Sequence, residues 1–238
     1  MADTASIVMA VAESLLDGEP LQRLKLLFIS KKLTVCLQAN VVPTAPATLT
    51  AKRLKPTDMV YQFKITLLGA KPAIWRRIRV QDCTLDKLHE HFQTAMGWTY
   101  SHLHQFEIKG ERYGDPELLN DGIEDFECVD SKKTNLSQIL PKTGKRFAFK
   151  YEYDFGDGWE HEVLFEGSPT VDPKAKYPLY LEGERVCPPE DCGGPYGYAD
   201  YLAAIADPKH EQNDEMMEWR GPFDPSAFDA TKEMRKVK

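Results

Sequence analysis

The sequence lacks the features of a secreted or membrane-spanning protein. Its five cysteines are odd in number and irregularly spaced, which argues against a disulfide framework and for a reducing compartment. The N-terminal apolar stretch is interrupted at Glu13, well short of the roughly 20 residues that a membrane span requires, and it has no basic start of the signal-peptide type. We therefore expect a cytoplasmic protein with no membrane role.

Basic residues are too few to give the molecule a positive field. The 30 Lys and Arg are outnumbered by 37 Asp and Glu, and the formal net charge is -7. Such a charge repels a phosphate backbone, so binding to nucleic acid would require a local basic patch. The glycine pairs Gly156/Gly158 and Gly193/Gly194 also lack the strand-to-helix spacing of phosphate-binding loops, which leaves no nucleotide fingerprint.

The chain is long enough for one good-sized domain and an appendage. With 238 residues, 42% of them hydrophobic, its core needs no disulfides. Apolar residues at near-helical period predict a helical arm over residues 1–40. Three prolines with scattered Ala and Thr predict a linker over residues 41–57. Residues 58–238 then form the main domain.

The main domain has the pattern of an α+β fold. We expect an antiparallel or mixed sheet built from hairpins, with helices packed on it, plus the N-terminal helical arm. The best-marked helix begins after Thr84, a capping residue, and ends at Gly97. The other predicted elements are a hairpin over 61–67 and 74–80, a strand over 102–109, a short helix over 135–140, a hairpin over 147–155 and 159–165, a helix over 198–206, and helices starting at Asp207-Pro208 and Asp224-Pro225.

The segment Tyr151–His161 is the densest signal, because it packs aromatic, acidic and imidazole side chains around one turn. A three-residue loop at Gly156–Gly158 would pair Phe155 with Trp159 and collect the aromatic and aliphatic side chains on one face. A two-residue Asp157-Gly158 turn would mix them with acids. Burial of a large apolar side chain is worth about 1.5–3 kcal/mol, against roughly 0.2–1 kcal/mol for a cross-strand pair, so we expect the three-residue loop.

In that register the opposite face carries an acidic strip. Asp154 lies beside Glu160, and Glu152 lies beside Glu162. Like charges directly opposite each other destabilise a sheet, so the strip needs cations nearby. The arginines of the second strand are candidates for a structural ion-pair network, namely Arg76, whose guanidinium lies at the core edge and needs a partner, Arg77 and Arg79.

Two histidines in a predicted strand suggest a metal centre. His102 and His104 stand two residues apart, so both imidazoles point to one face of the strand and can share zinc or another divalent metal. The alternative is that each is a hydrogen-bonded member of a mixed core. The residues available to complete a tetrahedral set are His161, Asp154, Cys187 and Cys192.

We expect three distant segments to meet in one aromatic and acidic cleft: the Tyr151–His161 hairpin, the strand with the two histidines, and the Pro- and Gly-rich loop Cys187–Tyr198. Aromatic rings with a few convergent polar groups are what a ligand pocket needs. The alternative for the last segment is a structural loop. The predicted cleft residues are Trp98, Tyr113, Tyr153, Asp154, Asp157, Trp159, His161, Glu190, Asp191 and Arg76.

Several motifs in a fixed order resemble one known family. They are PAIWRRI, LHEHFQTAMGW, HLHQFEI, YEYDFGDGWEH, CPPEDCGGPYGY and WRGPFDPSAFD, and the resemblance they carry covers about residues 59–228. This set resembles the plasmid pRiA4b ORF-3-like family, whose relatives include a passenger protein of an insertion element. The resemblance implies a compact α+β domain associated with plasmids and mobile elements, and it implies no established activity.

Three functional hypotheses follow. The first is a cytosolic binding or adaptor module whose cleft holds a protein, a peptide or a small cationic ligand. The second is a metal-dependent, hydrolase-type enzyme in which His102, His104 and His161 hold a metal and Asp154 or Asp157 is the general base. The third is a nucleic-acid accessory protein that uses the three arginines together with the Lys52-Arg53 pair.

Overall fold

The computed structural model describes residues 59–119, 128–141 and 145–229. The predicted helical arm and linker, residues 1–57, lie outside the described residues. The described strands are β1 (Val60–Leu67), β2 (Ile74–Gln81), β3 (His104–Ile108), β4 (Glu111–Gly114), β5 (Val129–Asp130), β6 (Phe147–Tyr153), β7 (Trp159–Gly167) and β8 (Leu179–Glu184). The described helices are α1 (Leu85–Met96), α2 (Pro116–Leu119), α3 (Leu136–Ile139), α4 (Gly194–Ala206) and α5 (Asn213–Arg220).

The eight strands form one mixed sheet in the order β5-β4-β3-β6-β7-β1-β2-β8. The β4–β5 pair is parallel and every other pair is antiparallel. The predicted α+β class and the mixed sheet built from hairpins are therefore confirmed. The central strand β1 alternates buried and half-buried side chains along most of its length, as expected for a strand with one face on the core.

Helix α1 forms where its capping signals predict it. The Thr84 hydroxyl accepts a hydrogen bond from the Lys87 amide at 3.2 Å, and Gly97 ends the helix in the left-handed conformation at φ +86°. Its apolar face packs on the sheet, where Phe92 meets Phe63 of β1 edge to face with ring centroids 6.3 Å apart. Helix α1 therefore covers the same sheet face that holds the aromatic residues of the central hairpin.

The β6–β7 hairpin keeps the predicted buried face but adopts another register. Tyr153 pairs with Trp159 and Tyr151 pairs with His161, so five residues, 154–158, form the loop instead of three. The prediction of a three-residue loop was wrong by a shift of two residues. A shift of two leaves every side chain on its original face, because the side-chain period of a strand is two.

The longer loop has a local cause. The Asp154 carboxylate accepts hydrogen bonds from the amides of Gly156 and Asp157, at 3.0 and 3.3 Å, and its own backbone adopts φ +57°. Aspartate side chains often compete with strand pairing through such bonds to the following amides. Phe155, released from the strand, is 41% exposed and does not pair with Trp159.

The shifted register also breaks up the predicted acidic strip. Lys150 now lies opposite Glu162, so one of the two expected carboxylate pairs has a cation in place of an acid. Glu152 still faces Glu160, and the side-chain amide of Gln105 donates to Glu152 at 2.6 Å. The sheet therefore neutralises this face with its own neighbouring residues.

The late helices differ from the sequence prediction at two Asp-Pro sites. Helix α4 begins four residues earlier than predicted, with Pro195 in its first turn. The predicted helix starts at Asp207 and Asp224 were wrong, because each aspartate closes a turn instead. Asp207 accepts from the Lys209 amide at 2.9 Å, and Asp224 accepts from the Ser226 amide at 2.8 Å.

None of the described helices has the length and apolar character needed to cross a membrane.

Candidate ligand-binding site

Three loops meet at the end of the β6–β7 hairpin. The Asp154 amide donates to the Leu103 carbonyl at 2.9 Å, which ties the hairpin loop to the loop before β3. The Gly193 amide donates to the Asp157 carboxylate at 3.2 Å, which ties the hairpin loop to the start of α4. The loops are residues 97–103, residues 154–158 and residues 185–193.

Gly194 allows the closest of these contacts. It has φ +69°, and a Cβ built on it would collide with the carbonyl oxygen of Asp157. Only glycine combines this left-handed conformation with room for the neighbouring backbone. The glycine pair in CPPEDCGGPYGY, Gly193 and Gly194, therefore serves the packing of the hairpin loop against α4.

Four of the predicted cleft residues are buried beneath these loops. Trp98 is 5% exposed, and Tyr153, Trp159 and His161 are each 0% exposed. Trp98 stacks on Tyr153 with ring centroids 5.1 Å apart, and its indole nitrogen donates to the Pro188 carbonyl at 3.0 Å. These rings form a buried floor under the loops and do not line an open cleft, because the core takes up the apolar face of the hairpin.

Glu190 joins the floor to the loops. The Tyr153 hydroxyl donates to its Oε1 at 2.6 Å, the Thr99 amide donates to its Oε2 at 3.0 Å, and the Thr99 hydroxyl contacts Oε2 as well. Burial favours a higher pKa for Glu190, but the hydrogen bonds from Thr99 and Tyr153 outweigh it and lower the pKa below its usual value. Glu190 is therefore a buried, satisfied carboxylate with a structural part in the site.

A polar cluster lies above the floor, with one side chain from each loop. The Nε2 atom of His102 is 3.1 Å from Oδ1 of Asp191 and 3.5 Å from Oδ2 of Asp154. Asp154 is buried, His102 is partly exposed and Asp191 is exposed. We call these three residues the His102 cluster. Two imidazole–carboxylate contacts and the solvent access of Asp191 make it a place where a cation can bind.

The other predicted metal ligands lie elsewhere. His104 stacks on His89, with ring centroids 3.6 Å apart. Strand β3 starts at His104, so His102 lies in the preceding bend and not in the strand. His161 is fully buried on β7, beside the backbone of Tyr151. Among the described residues, the side chains whose ligand atoms converge are those of the His102 cluster, which does not include His104, His161, Cys187 or Cys192.

The thiols of the predicted set belong to the packing of the core. Cys187 is 5% exposed and lies 3.2 Å from the Met96 sulfur. Burial raises the pKa of Cys192 to about 12, so this thiol stays protonated at neutral pH and is a poor metal ligand. We therefore leave both cysteines out of the set of candidate metal ligands.

The arginines of β2 already have partners within the domain. Arg76 is buried, donates to the carbonyls of Ala95 and Glu184 at 2.9 and 3.0 Å, and lies 3.3 Å from Cys187. Arg77 donates to Glu166 at 2.8 Å and to Glu182 at 2.6 Å, and Arg79 donates to Gln62 at 2.8 Å. Arg76 therefore supports the core and is not part of the cleft. The predicted pair Lys52-Arg53 lies outside the described residues.

Tyr113 does not join the loops. It pairs with Phe106 and Val129 in β4, on the far side of β3 from the central hairpin.

An open hollow adjoins the His102 cluster. It has a volume of about 430 Å³ and lies between the Asp191 loop and the helices α4 and α5. Sequence reasoning found Asp191 and Cys192 but missed the residues of the two helices, because the sequence alone does not show that α4 and α5 lie side by side next to the Asp191 loop. The lining residues are Asp191, Cys192, Gly197, Asp200, Tyr201, Gln212, Glu215, Met216 and Trp219. We call this the acidic hollow.

The acidic hollow combines negative charge with aromatic rings. The described residues that line it include three carboxylates and no basic side chain, and Arg220 lies beside it over the Trp219 ring, 5.1 Å from the centroid. Tyr201 is 3% exposed, and within the described part of the chain its hydroxyl has no hydrogen-bond partner. A second hollow of about 470 Å³ lies beside α1, but there Lys87 already contacts Glu90. The acidic hollow is therefore the better candidate for a ligand.

The fold and the site define an α+β domain in which helix α1 covers one face of a mixed sheet and a polar site lies where three loops meet. The chain belongs to the plasmid pRiA4b ORF-3-like protein family, whose model matches residues 59–232. It is 42% identical over 168 residues to the uncharacterized protein y4hQ of Sinorhizobium fredii, which covers 69% of this chain and 82% of that relative. The family predicted from the sequence motifs is confirmed.

A crystal structure of a relative has the same fold. The protein of unknown function MM3350 from Methanosarcina mazei Go1 is 34% identical, with a TM-score of 0.64, and the match covers 73% of this chain and 97% of that one.

Proposed function

We propose that this chain is a binding module whose acidic hollow takes a cationic side chain, lysine or arginine, from a peptide or a partner protein. The observation that carries the proposal is the joint lining of one hollow by three carboxylates and two aromatic side chains. Its volume lies within the range of about 300–1,000 Å³ that is usual for ligand pockets.

The carboxylates supply the attraction. Asp191, Asp200 and Glu215 are exposed acidic side chains, and together they attract a cation by Coulomb interaction in a high dielectric. An exposed ion pair is worth only about 0.2–1 kcal/mol, so one carboxylate gives little affinity and three acting on one ligand give more. The proposed affinity is therefore modest and sensitive to salt.

The aromatic residues supply shape and a cation–π surface. Trp219 is 41% exposed, so part of its ring is accessible to a ligand. The Arg220 guanidinium over its ring shows that the ring already accommodates a cation within the domain. The Tyr201 hydroxyl, which has no partner among residues 59–119, 128–141 and 145–229, adds a polar group to the same wall. A lysine or arginine side chain can use both its charged end and its aliphatic stem there.

The finer setting of the function is also a proposal. We propose that the module acts in the cytoplasm, which is supported by the four described cysteines being free thiols. An association with plasmids and mobile elements is consistent with the family name.

The proposal is tested by titrating the full chain with a trilysine peptide and, separately, with a triglutamate peptide, using calorimetry. We expect binding of trilysine and none of triglutamate. In the double variant Asp200→Asn, Glu215→Gln, trilysine affinity should fall about tenfold, since each exposed pair contributes a factor of about two to five.

The matched control is the double variant Asp214→Asn, Glu218→Gln. It changes the net charge by the same amount on α5, but neither residue lines the hollow. Unchanged affinity in this control supports the proposal. An equal loss in both double variants, or equal binding of the two peptides, would mean that the general negative field and not the hollow is responsible.

A further inference from the structure

The His102 cluster has a geometry that an ordinary ion pair does not explain. Its three ligand atoms all lie within 4.8 Å of one another. Nε2 of His102 is close to Asp191 Oδ1 and Asp154 Oδ2, yet it is shielded from solvent and has no hydrogen-bond partner among the described residues. The donor and acceptor are near each other but wrongly oriented, so the contacts lack the directionality of hydrogen bonds.

Asp154 gives an independent reason to expect a cation. It is 7% exposed, and its Oδ1 atom accepts hydrogen bonds from the Gly156 and Asp157 amides. These bonds hold the carboxylate through Oδ1, and its Oδ2 atom lies 3.5 Å from Nε2 of His102. A carboxylate that is almost completely buried is costly unless its charge is compensated. A metal ion between the three side chains would satisfy Oδ2 and Nε2 together.

The distances fit metal coordination. Imidazole nitrogen and carboxylate oxygen bind zinc at about 2.0–2.2 Å. Two such ligands at tetrahedral or octahedral angles are separated by about 2.8–3.6 Å, since the separation follows from bond length and angle. The two observed separations of 3.1 and 3.5 Å lie in this range. Three protein ligands, one of them exposed, also leave a coordination position open to solvent.

We infer that His102, Asp154 and Asp191 form a binding site for a divalent first-row transition metal such as Zn²⁺ or Mn²⁺. The imidazole ligand favours such metals over Mg²⁺ and Ca²⁺, which prefer ligand sets made only of oxygen. The left-handed backbone of Asp154 and Asp191, at φ +57° and +62°, turns both loops toward His102. This inference is separate from the acidic hollow, with which the cluster shares Asp191.

The test is equilibrium dialysis of the full chain without a histidine tag against Zn²⁺, with the visible absorption spectrum of Co²⁺ as a second readout. We expect about one equivalent of Zn²⁺, and visible Co²⁺ absorption bands that differ from those of the hydrated ion because the metal has entered a protein site. Mg²⁺ and Ca²⁺ at the same concentration should not displace either metal.

The variants are chosen so that the loops keep their structure. Asp154→Asn retains the oxygen that accepts from the two amides, and asparagine tolerates the left-handed conformation, as it does in Asp191→Asn. His102→Gln removes the imidazole. Each variant should lower Zn²⁺ affinity at least tenfold and change the Co²⁺ spectrum, with its circular dichroism unchanged. The control His210→Gln removes a histidine outside the cluster and should bind like the parent chain.

Each remaining outcome overturns the inference. It fails if the parent chain binds less than a tenth of an equivalent, if Mg²⁺ or Ca²⁺ displaces Zn²⁺, if the cluster variants retain full affinity, or if His210→Gln also abolishes binding. The acidic hollow is tested independently, because Asp200→Asn, Glu215→Gln should leave metal binding intact and His102→Gln should leave trilysine binding intact.

Discussion

Acid should destabilise this domain through a histidine in its core. His161 is 0% exposed, lies edge to face against Trp98 with ring centroids 5.5 Å apart, and directs its Nδ1 atom at the Tyr151 carbonyl at 3.3 Å. Burial lowers the pKa of His161 to about 4, although hydrogen bonds to the backbone of Tyr151 and Trp159 oppose this shift. The folded protein therefore holds the neutral imidazole.

The sign and size of the effect follow from the two pKa values. The unfolded imidazole has a pKa of about 6.5, so it takes up a proton before the folded one does. The contribution of the neutral His161 to stability is therefore complete above about pH 6.5 and is lost as the pH falls toward about 4. At pH 5 the titration of His161 alone raises the equilibrium constant for unfolding by a factor of about 30. This lowers the free energy of unfolding by about 2 kcal/mol.

The assay is urea denaturation of the parent chain and of His161→Gln at pH 8 and pH 5. Glutamine carries no proton over this range, so the variant is less stable at pH 8 but should lose about 2 kcal/mol less than the parent between pH 8 and pH 5. The control His210→Gln should keep the full pH dependence, because His210 is only partly buried. Equal pH dependence in the parent and His161→Gln would refute the reasoning.

Three further predictions concern stability and are measured by urea denaturation. Arg76→Ala should lower the free energy of unfolding by about 3–5 kcal/mol, because it leaves buried carbonyls unpaired and creates a cavity. The control Arg79→Ala should lower it by about 1 kcal/mol or less. Similar losses in the two variants would contradict the buried role of Arg76. Gly194→Ala should lower the free energy of unfolding by several kcal/mol, and the control Gly110→Ala by only about 1 kcal/mol. Both glycines have positive φ, but of these two the added Cβ collides only at Gly194. Equal losses would show that the loop contact is unimportant. Tyr153→Phe should cost about 1–2 kcal/mol and raise the pKa of Glu190, which a carboxylate titration followed by NMR would detect.

The fold was readable from the sequence because its signals are local. The alternation in β1 and β2 predicts a hairpin, and the caps Thr84 and Gly97 fix both ends of α1. The buried face of the β6–β7 hairpin was also predicted, since burial of Tyr153 and Trp159 outweighs smaller preferences. Family membership followed from the order of the motifs and not from any one of them.

The register and the site depended on contacts that no local pattern reveals. The loop has five residues and not three because two backbone amides donate hydrogen bonds to Asp154. These bonds are similar in energy to the strand-pairing hydrogen bonds that they replace. The acidic hollow needs Asp200 and Glu215 from two helices, and the helix predicted to start at Asp207 begins instead at Asn213 as α5. Asp207 and Asp224 looked like helix caps because turns and caps use the same side-chain bonds.

The central claim is that the helices α4 and α5 and the Asp191 loop form a site for a cationic side chain. The most direct measurement is an amide chemical-shift map of the isotope-labelled chain during titration with trilysine. The account predicts that the residues which shift most are those lining the acidic hollow, including Asp200, Glu215 and the Trp219 indole. Saturable binding whose shifts lie beside α1, or on the open face of the sheet, with the hollow unaffected, would contradict it.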